Sequence, residues 1–273
     1  MSGLPIRTVA KPWGREVLPA PFVAPPGEKI GEIWFEPPSA IPSLLVKYIF
    51  TSEKLSVQVH PNDDQARASG HDDLGGGGGK EECWLVIDSE PGATLGVGFH
   101  EALSHEQICA AALDGSIEQL LVWHPVRAGD FFYIPANTVH AIGAGVSLIE
   151  VQQNADITYR LYDYGRPREL HLDEGVAVAR GEPHDPALRR HIPQSGTIEL
   201  ADGRYFQLHR LDGEPDAAIR AAYAGPLLVI PRSGSVWHGG ERLVAGECGQ
   251  TASIADLKFD PAGQCLIARP KRA

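Results

Sequence analysis

Gln58, His60, Glu82 and His140 offer one amide oxygen, two imidazoles and one carboxylate. That donor set suits Zn²⁺ and comes close to the two-histidine, one-carboxylate face used by non-haem Fe(II). In Ser56-Val57-Gln58-Val59-His60 polar and apolar residues alternate, so a strand puts Gln58 and His60 on one face and Val57 and Val59 on the other. The segment Gly129-Asp130-Phe131-Phe132-Tyr133-Ile134-Pro135-Ala136-Asn137-Thr138-Val139-His140 reads as an aromatic strand, a Pro/Asn turn and a histidine where the next strand starts. Taken singly, each histidine is more often a hydrogen-bonded strand residue and Glu82 more often a solvated carboxylate. Taken together, their spacing argues for a metal.

Four more side chains carry charge toward the same region. Lys80 precedes Glu82 by two residues and shares its face, where a nearby cation would depress the lysine pKa and make it a base. Val146, Leu148, Glu150 and Gln152 share a face by alternation, so Glu150 either enters the pocket or is a satisfied inner carboxylate. Arg160, on a face with Thr158 and Tyr162, has the planar paired donors that hold a phosphate or an enediolate oxygen. Lys47 either faces the cavity or lies on the outer sheet face with its charge in water. Arg166 is a further basic candidate for an anionic substrate.

The elements that must position these groups are mostly strands. Short apolar runs at Leu44–Phe50, Leu55–Val59, Cys83–Ile87, Thr94–Phe99, Phe131–Ile134, Val146–Val151 and Thr158–Tyr162 are bounded by Gly, Pro, Asn or Asp, the rhythm of a β-sandwich or barrel. Ser104 with Gln107, and Ser116 with Gln119, have capping-box spacing, which predicts two short helices within about 104–121. A third is expected at Asp63–Ser69. The glycine-dense stretch Asp72–Gly79 reads as a loop, either a lid beside the site or a surface insertion. Proline-rich sequence predicts a linker at 183–195. It separates a catalytic domain at 1–182 from a smaller β domain at 196–273, with strands expected at Tyr205–Leu211, Leu227–Ile230, Ser253–Leu257 and Gln264–Ala268. With no His-x-His or Gln-x-His pair, the smaller domain reads as a degenerate, metal-free copy of the first.

Composition narrows the partners. The chain has 273 residues, 43% hydrophobic and 22% charged, as expected of a folded globular protein. Its formal net charge of −11 repels nucleic-acid phosphate and anionic lipid, and only the tail Arg269-Pro270-Lys271-Arg272 is densely basic. Neither partner is expected. Cys83, Cys109, Cys248 and Cys265 form no Cys-x-x-Cys pair and read as free thiols. Residues 1–7 hold no apolar core of signal-peptide length, and no run approaches bilayer-spanning length, so the expected compartment is the cytoplasm.

The block from Gly129 to His140 resembles the second cupin motif, Gly-x5-Pro-x-(Gly/Asn)-x2-His, and Gln58-x-His60 with Glu82 resembles a stretched first motif. Four segments, Ser56–Asp63, Gly79–Trp84, Pro135–Gly143 and Thr158–Tyr164, resemble the type I, zinc-dependent mannose-6-phosphate isomerases, especially their short bacterial form. Lys11–Gly14, Gly31–Trp34, Leu45–Lys47 and Pro167–His171 extend the likeness over about residues 10–180. The resemblance implies a mainly β fold, a double-stranded β-helix (cupin jelly roll) with short helical insertions. It also implies one Zn²⁺ per chain on Gln58, His60, Glu82 and His140, with Arg160 as the active-site arginine and Lys80 and Glu150 as the other polar groups of the pocket. The implied activity is aldose–ketose isomerisation between mannose 6-phosphate and fructose 6-phosphate, in a monomer or homodimer. A glycine tract stands where the family has a short polar segment. A sugar-phosphate-binding cupin without turnover and an Fe(II) cupin oxygenase are the alternatives, and Gln58 in place of a histidine argues against the second.

Overall fold

The computed structural model describes residues 2–70 and 78–271. The lid or insertion expected of the glycine tract therefore falls largely outside the described residues, of which only Gly78 and Gly79 belong to that tract.

Among the described residues, seven strands form one antiparallel sheet in the order Arg189–His191, Asp130–Ile134, Glu82–Ser89, Val146–Gln153, Leu44–Phe50, Ile30–Phe35 and Ile6–Arg15. Five others, Tyr159–Tyr162, Val57–Val59, His140–Ile142, Thr94–Phe99 and Leu121–Pro125, form a second sheet. Alternation in the strands assigns the layers. Trp84, Val86, Leu148 and Ile134 of the first sheet meet Leu95, Val97 and Ile142 of the second in one buried cluster, the interior of the cupin barrel. The opposite residues face outward. Val57, Val59 and Ala141 pack under the helices with Ile108, Ala111 and Val178. Leu85, Ile149, Val151 and Tyr48 pack against Phe206, Leu208, Leu228, Ile230 and Leu266 of the carboxy-terminal sheet.

That third sheet has six described strands in the order Ser2–Gly3, Gly249–Thr251, Leu227–Ser233, Gln264–Pro270, Phe206–Asp212 and Ile198–Asp202, and a three-stranded sheet lies beside it. Val229 and Ile267 of the first and Val236 and Leu243 of the second share a core. Within residues 183–195, Arg189–His191 bonds to Asp130–Phe132 as the edge strand of the barrel sheet. No described helix is long and apolar enough to cross a membrane. All four cysteines are free.

Two helices follow their capping boxes: Asn62 with Gln65 starts Asp63–Ala68, and Ser104 with Gln107 starts His105–Asp114. The box expected at Ser116 does not form. The preceding helix ends on Gly115 in the left-handed region, and Ser116 is already helical, so its hydroxyl is not held over the next turn. Ser253–Leu257 is not a strand. Ser253 Oγ accepts from Ala255 N–H and Leu257 N–H bonds to Ile254 C=O, so a local turn takes the hydrogen bonds that a ladder would need.

Candidate metal centre and active site

Strand register builds the site from two facing rows. In the seven-stranded sheet, Trp34 pairs with Lys47, Lys47 with Glu150, and Glu150 with Trp84. In the five-stranded sheet, Arg160 pairs with Gln58 and Gln58 with His140. Side chains directly opposite across a ladder are neighbours, so each row is a contiguous strip of functional groups.

His60, Glu82 and His140 meet where the rows converge, with one ligand atom from each within 4.8 Å of the others. His60 Nε2 lies 3.5 Å from Glu82 Oε2 and His140 Nε2 3.6 Å from Oε1. His60 Nδ1 bonds to Ile157 C=O at 2.8 Å and His140 Nδ1 to Thr138 C=O at 2.9 Å. A carbonyl cannot donate, so each Nδ1 carries the proton and each Nε2 presents a lone pair to the centre. Burial, followed by the charge of Lys80, holds His60 well below the ordinary histidine pKa. Burial pushes His140 down to about 4 against the Thr138 carbonyl, so both rings are neutral at pH 7. Gln58 closes the group with its amide nitrogen 3.3 Å from His140 Nε2. The amide's two ends differ by a rotation about its last bond, and the reverse orientation turns oxygen to the centre.

The donor set fits a cation. Among the described residues neither buried carboxylate oxygen of Glu82 has a well-formed hydrogen bond, and the Lys80 ammonium stands 2.8 Å from Oε2 as an ion pair. The same ammonium is 3.0 Å from His60 Nε2, so positive charge already occupies this electron-rich corner. Burial and the charge of Glu150 raise Glu82 to about 7 against Lys80. Burial works to lower Lys80, but Glu82 and Glu150 outweigh it and raise its pKa. In the chain alone two carboxylates face that ammonium, and the depressed lysine expected from the sequence requires the cation beside it.

Lys47 resolves to the inner face. It is buried, 3.3 Å from Glu150 Oε1, and lies 4.1 Å over the Trp34 ring. Trp84 Nε1–H donates to Glu150 Oε2 at 3.0 Å. Burial alone would raise Glu150, yet Lys80, Lys47 and this indole hold it below the ordinary carboxylate value. The adjoining pocket is lined by Lys47, Gln58, Lys80, Glu150, Thr158 and Arg160. The guanidinium of Arg160 has no ion pair among the described residues. Tyr162 does not accompany it. The register slips between Arg160 and Tyr162, and Tyr162 packs on the helical layer instead.

Arg166 lies outside the pocket, bonded to Asp163, Glu53 and the Lys54 carbonyl. Sequence reasoning missed several pocket residues: Lys11, Trp13, Glu32, Trp34, Asp156 and Arg168. The signal was present for two of them, since Glu32-Ile33-Trp34 alternates and puts Glu32 and Trp34 on one face. Arg168 could not be found that way. It follows a strand and is aimed by a bidentate pair with the buried Asp163, at 2.6 and 2.7 Å.

Lys80 is held by its backbone. Its N–H bonds to Pro61 C=O, and the preceding Gly79 N–H bonds to Asp63 Oδ1. A Cβ on Gly79 would stand 2.5 Å from Asp63 N and 2.6 Å from Asn62 C, so no other residue fits without moving the helix start. Gly79→Ala should cost about 1–3 kcal/mol of stability, the range for overpacking, read as a lower denaturant midpoint at unchanged slope.

Barrel and donor set together define a cupin with a candidate metal centre. Among curated proteins the chain is 38% identical over 216 residues to the mannose-6-phosphate isomerase ManA of Bacillus subtilis, covering 75% of this chain and 64% of that one. It is 42% identical over 224 residues to the mannose-6-phosphate isomerase of Streptococcus mutans, covering 79% and 67%. It thus spans about two thirds of the length of these relatives. A crystal structure of a mannose 6-phosphate isomerase from Bacillus subtilis shares the fold, with a TM-score of 0.79 over 98% of both chains at 24% identity. A zinc-bound mannose 6-phosphate isomerase does so at 0.71 over 99% of each at 14% identity. No protein-family model matches. The chain belongs to the mannose-6-phosphate isomerase family.

Proposed function

We propose that the chain is a zinc-dependent aldose–ketose isomerase that interconverts mannose 6-phosphate and fructose 6-phosphate. The observation that carries this reading is the convergence of two Nε2 lone pairs and two carboxylate oxygens on one buried point. Gln58, His60, Glu82 and His140 would hold one Zn²⁺ per chain, with the Gln58 amide turned oxygen-inward. When bound, the ion supplies Lewis acidity to the two adjacent sugar oxygens on which an enediol develops negative charge.

The remaining groups divide the work by charge. The reaction moves a proton between C1 and C2, which needs a base that takes it from one carbon and returns it to the other. Glu150, kept as a carboxylate by Lys80, Lys47 and Trp84, has the right protonation state. Lys80, a cation among carboxylates, is the complementary donor toward a sugar oxygen. Arg160, which has no ion pair among the described residues, is the arginine for the phosphate or the enediolate. Lys47 orients Glu150 and adds positive charge to the substrate pocket. We take residues 1–182 as the catalytic unit and 196–273 as the smaller β unit that covers its outer face.

The test is a coupled assay of fructose 6-phosphate formation from mannose 6-phosphate, run before and after chelation. Activity lost on chelation and restored by zinc supports the reading, and full activity in metal-free protein removes zinc from it. Arg160→Ala should lower turnover by about 10²-fold, the loss of one charge-assisted contact made in the transition state. Its zinc content should stay at the parent value. Loss of zinc in that variant would mean the arginine belongs to the metal shell.

A further inference from the structure

A second cavity, of about 310 Å³, lies between the barrel sheet and the carboxy-terminal sheet. Leu85 and Ile87 line it from the face of their strand opposite Glu82 and Trp84, so the two sites share a strand but not a face. Its polar wall is basic: Arg127, His191, Arg210 and Arg232, with Gln264 beside them.

The charges on that wall are poorly compensated. Among the described residues, neither Arg127 nor Arg232 has a side-chain hydrogen bond or an ion pair. Arg210 is buried and donates to the Pro193 and Gly196 carbonyls, but its Nε has no hydrogen-bond partner, and Asp212 stands 3.7 Å away. His191 is tied to Asp130 at 2.8 Å. Burial, and then repulsion from Arg210, pull Arg232 below the ordinary guanidinium pKa against the influence of Tyr48. Asp212 is thus the one carboxylate paired with these three guanidinium groups among the described residues, and cations gathered with so little counter-charge repel one another, the more so when desolvated. In a chain of net charge −11 such a cluster runs against the global field.

We propose that this inter-sheet cleft is a phosphate-binding site, distinct from the metal pocket, in which Arg127, Arg210 and Arg232 hold the oxyanion. Planar guanidinium forks match phosphate oxygens in pairs. The cleft has the volume of a small-ligand site, so the oxyanion comes either as free phosphate or on a small phosphorylated metabolite. Gln264 is fixed by a 2.8 Å bond from its amide to the Gln194 carbonyl and leaves its amide oxygen for a ligand hydroxyl.

The experiment is calorimetric titration of the metal-loaded full chain with inorganic phosphate, and separately with 3-phosphoglycerate, at matched ionic strength. Arg232→Gln and Arg127→Gln should each weaken binding by about tenfold or more, as the loss of one charge-assisted contact predicts. Phosphate that also enters the metal pocket through Arg160 gives a second heat, which Arg160→Gln should remove while the cleft's heat and its dependence on Arg127 and Arg232 persist. Arg127 is exposed, so its variant keeps the test open if Arg232→Gln fails to fold. Equal affinity for the two probes assigns the site to free phosphate, and clearly tighter binding of 3-phosphoglycerate assigns it to a metabolite. The proposal is overturned if neither probe binds, if both cleft variants bind like the parent, or if Arg160→Gln alone abolishes the heat.

Discussion

His140→Ala should purify with little or no zinc and lose about a thousandfold or more in turnover, since a bound Lewis acid supplies several kcal/mol at the transition state and each 1.4 kcal/mol is a factor of ten. The size of the effect follows from where the ring sits. It is wholly buried, its Nδ1 is locked on the Thr138 carbonyl, and its Nε2 is one of two imidazole lone pairs that the described residues bring to the centre. Alanine leaves a space edged by Trp84, whose ring stands 5.3 Å from that of His140. Metal analysis by mass spectrometry reads the first effect and the coupled assay the second. Thermal unfolding supplies a third reading, because an ion that binds only the folded chain raises its melting temperature. In the parent, added zinc should raise that temperature; in His140→Ala the rise should vanish. A variant that keeps its zinc and its turnover would end the four-ligand assignment.

Much of this centre was legible because short-range alternation and turn chemistry determine it. Val57 and Val59 point into the helical layer and Gln58 and His60 the other way because a strand has period two. Asn137, at φ 73°, bends the chain so that His140 opens the next strand, and asparagine is among the few residues that take this conformation readily. What could not be read depends on long-range register. Lys47 has the same sequence neighbours whether it faces in or out, and the pairings Trp34 with Lys47 and Lys47 with Glu150 decide the matter. The bulge that turns Tyr162 away from Arg160 is likewise a property of two strands together. The charge of Lys80 in the chain alone depends on register in the same way. Its pKa is set by Glu82, a near neighbour, and equally by Glu150, which only the sheet brings close. The basic cleft between the sheets was invisible, since Arg127, Arg210 and Arg232 come from three distant segments.

Glu150→Gln should cut turnover by about 10² to 10⁴, the usual contribution of a positioned general base, while zinc content and substrate affinity change little. Glutamine keeps the shape and can still accept the Trp84 N–H, so the indole contact survives and the loss reports proton transfer and charge. Lys80→Met makes the complementary change. It removes the ammonium between Glu82 and His60 and should also slow turnover, but by weakening proton donation to the sugar oxygen. Isotope exchange separates the two roles. With substrate deuterated at C2, a carboxylate base that exchanges its captured label with water before returning it releases label in the parent, and Glu150→Gln should suppress release and turnover together. Lys80→Met should slow turnover more than release, because abstraction by Glu150 still occurs. If Glu150→Gln retains most of its turnover and Lys80→Met loses label release entirely, the base is the lysine. The Glu150 carboxylate would then act only as the counter-charge that Lys47 and Lys80 already require.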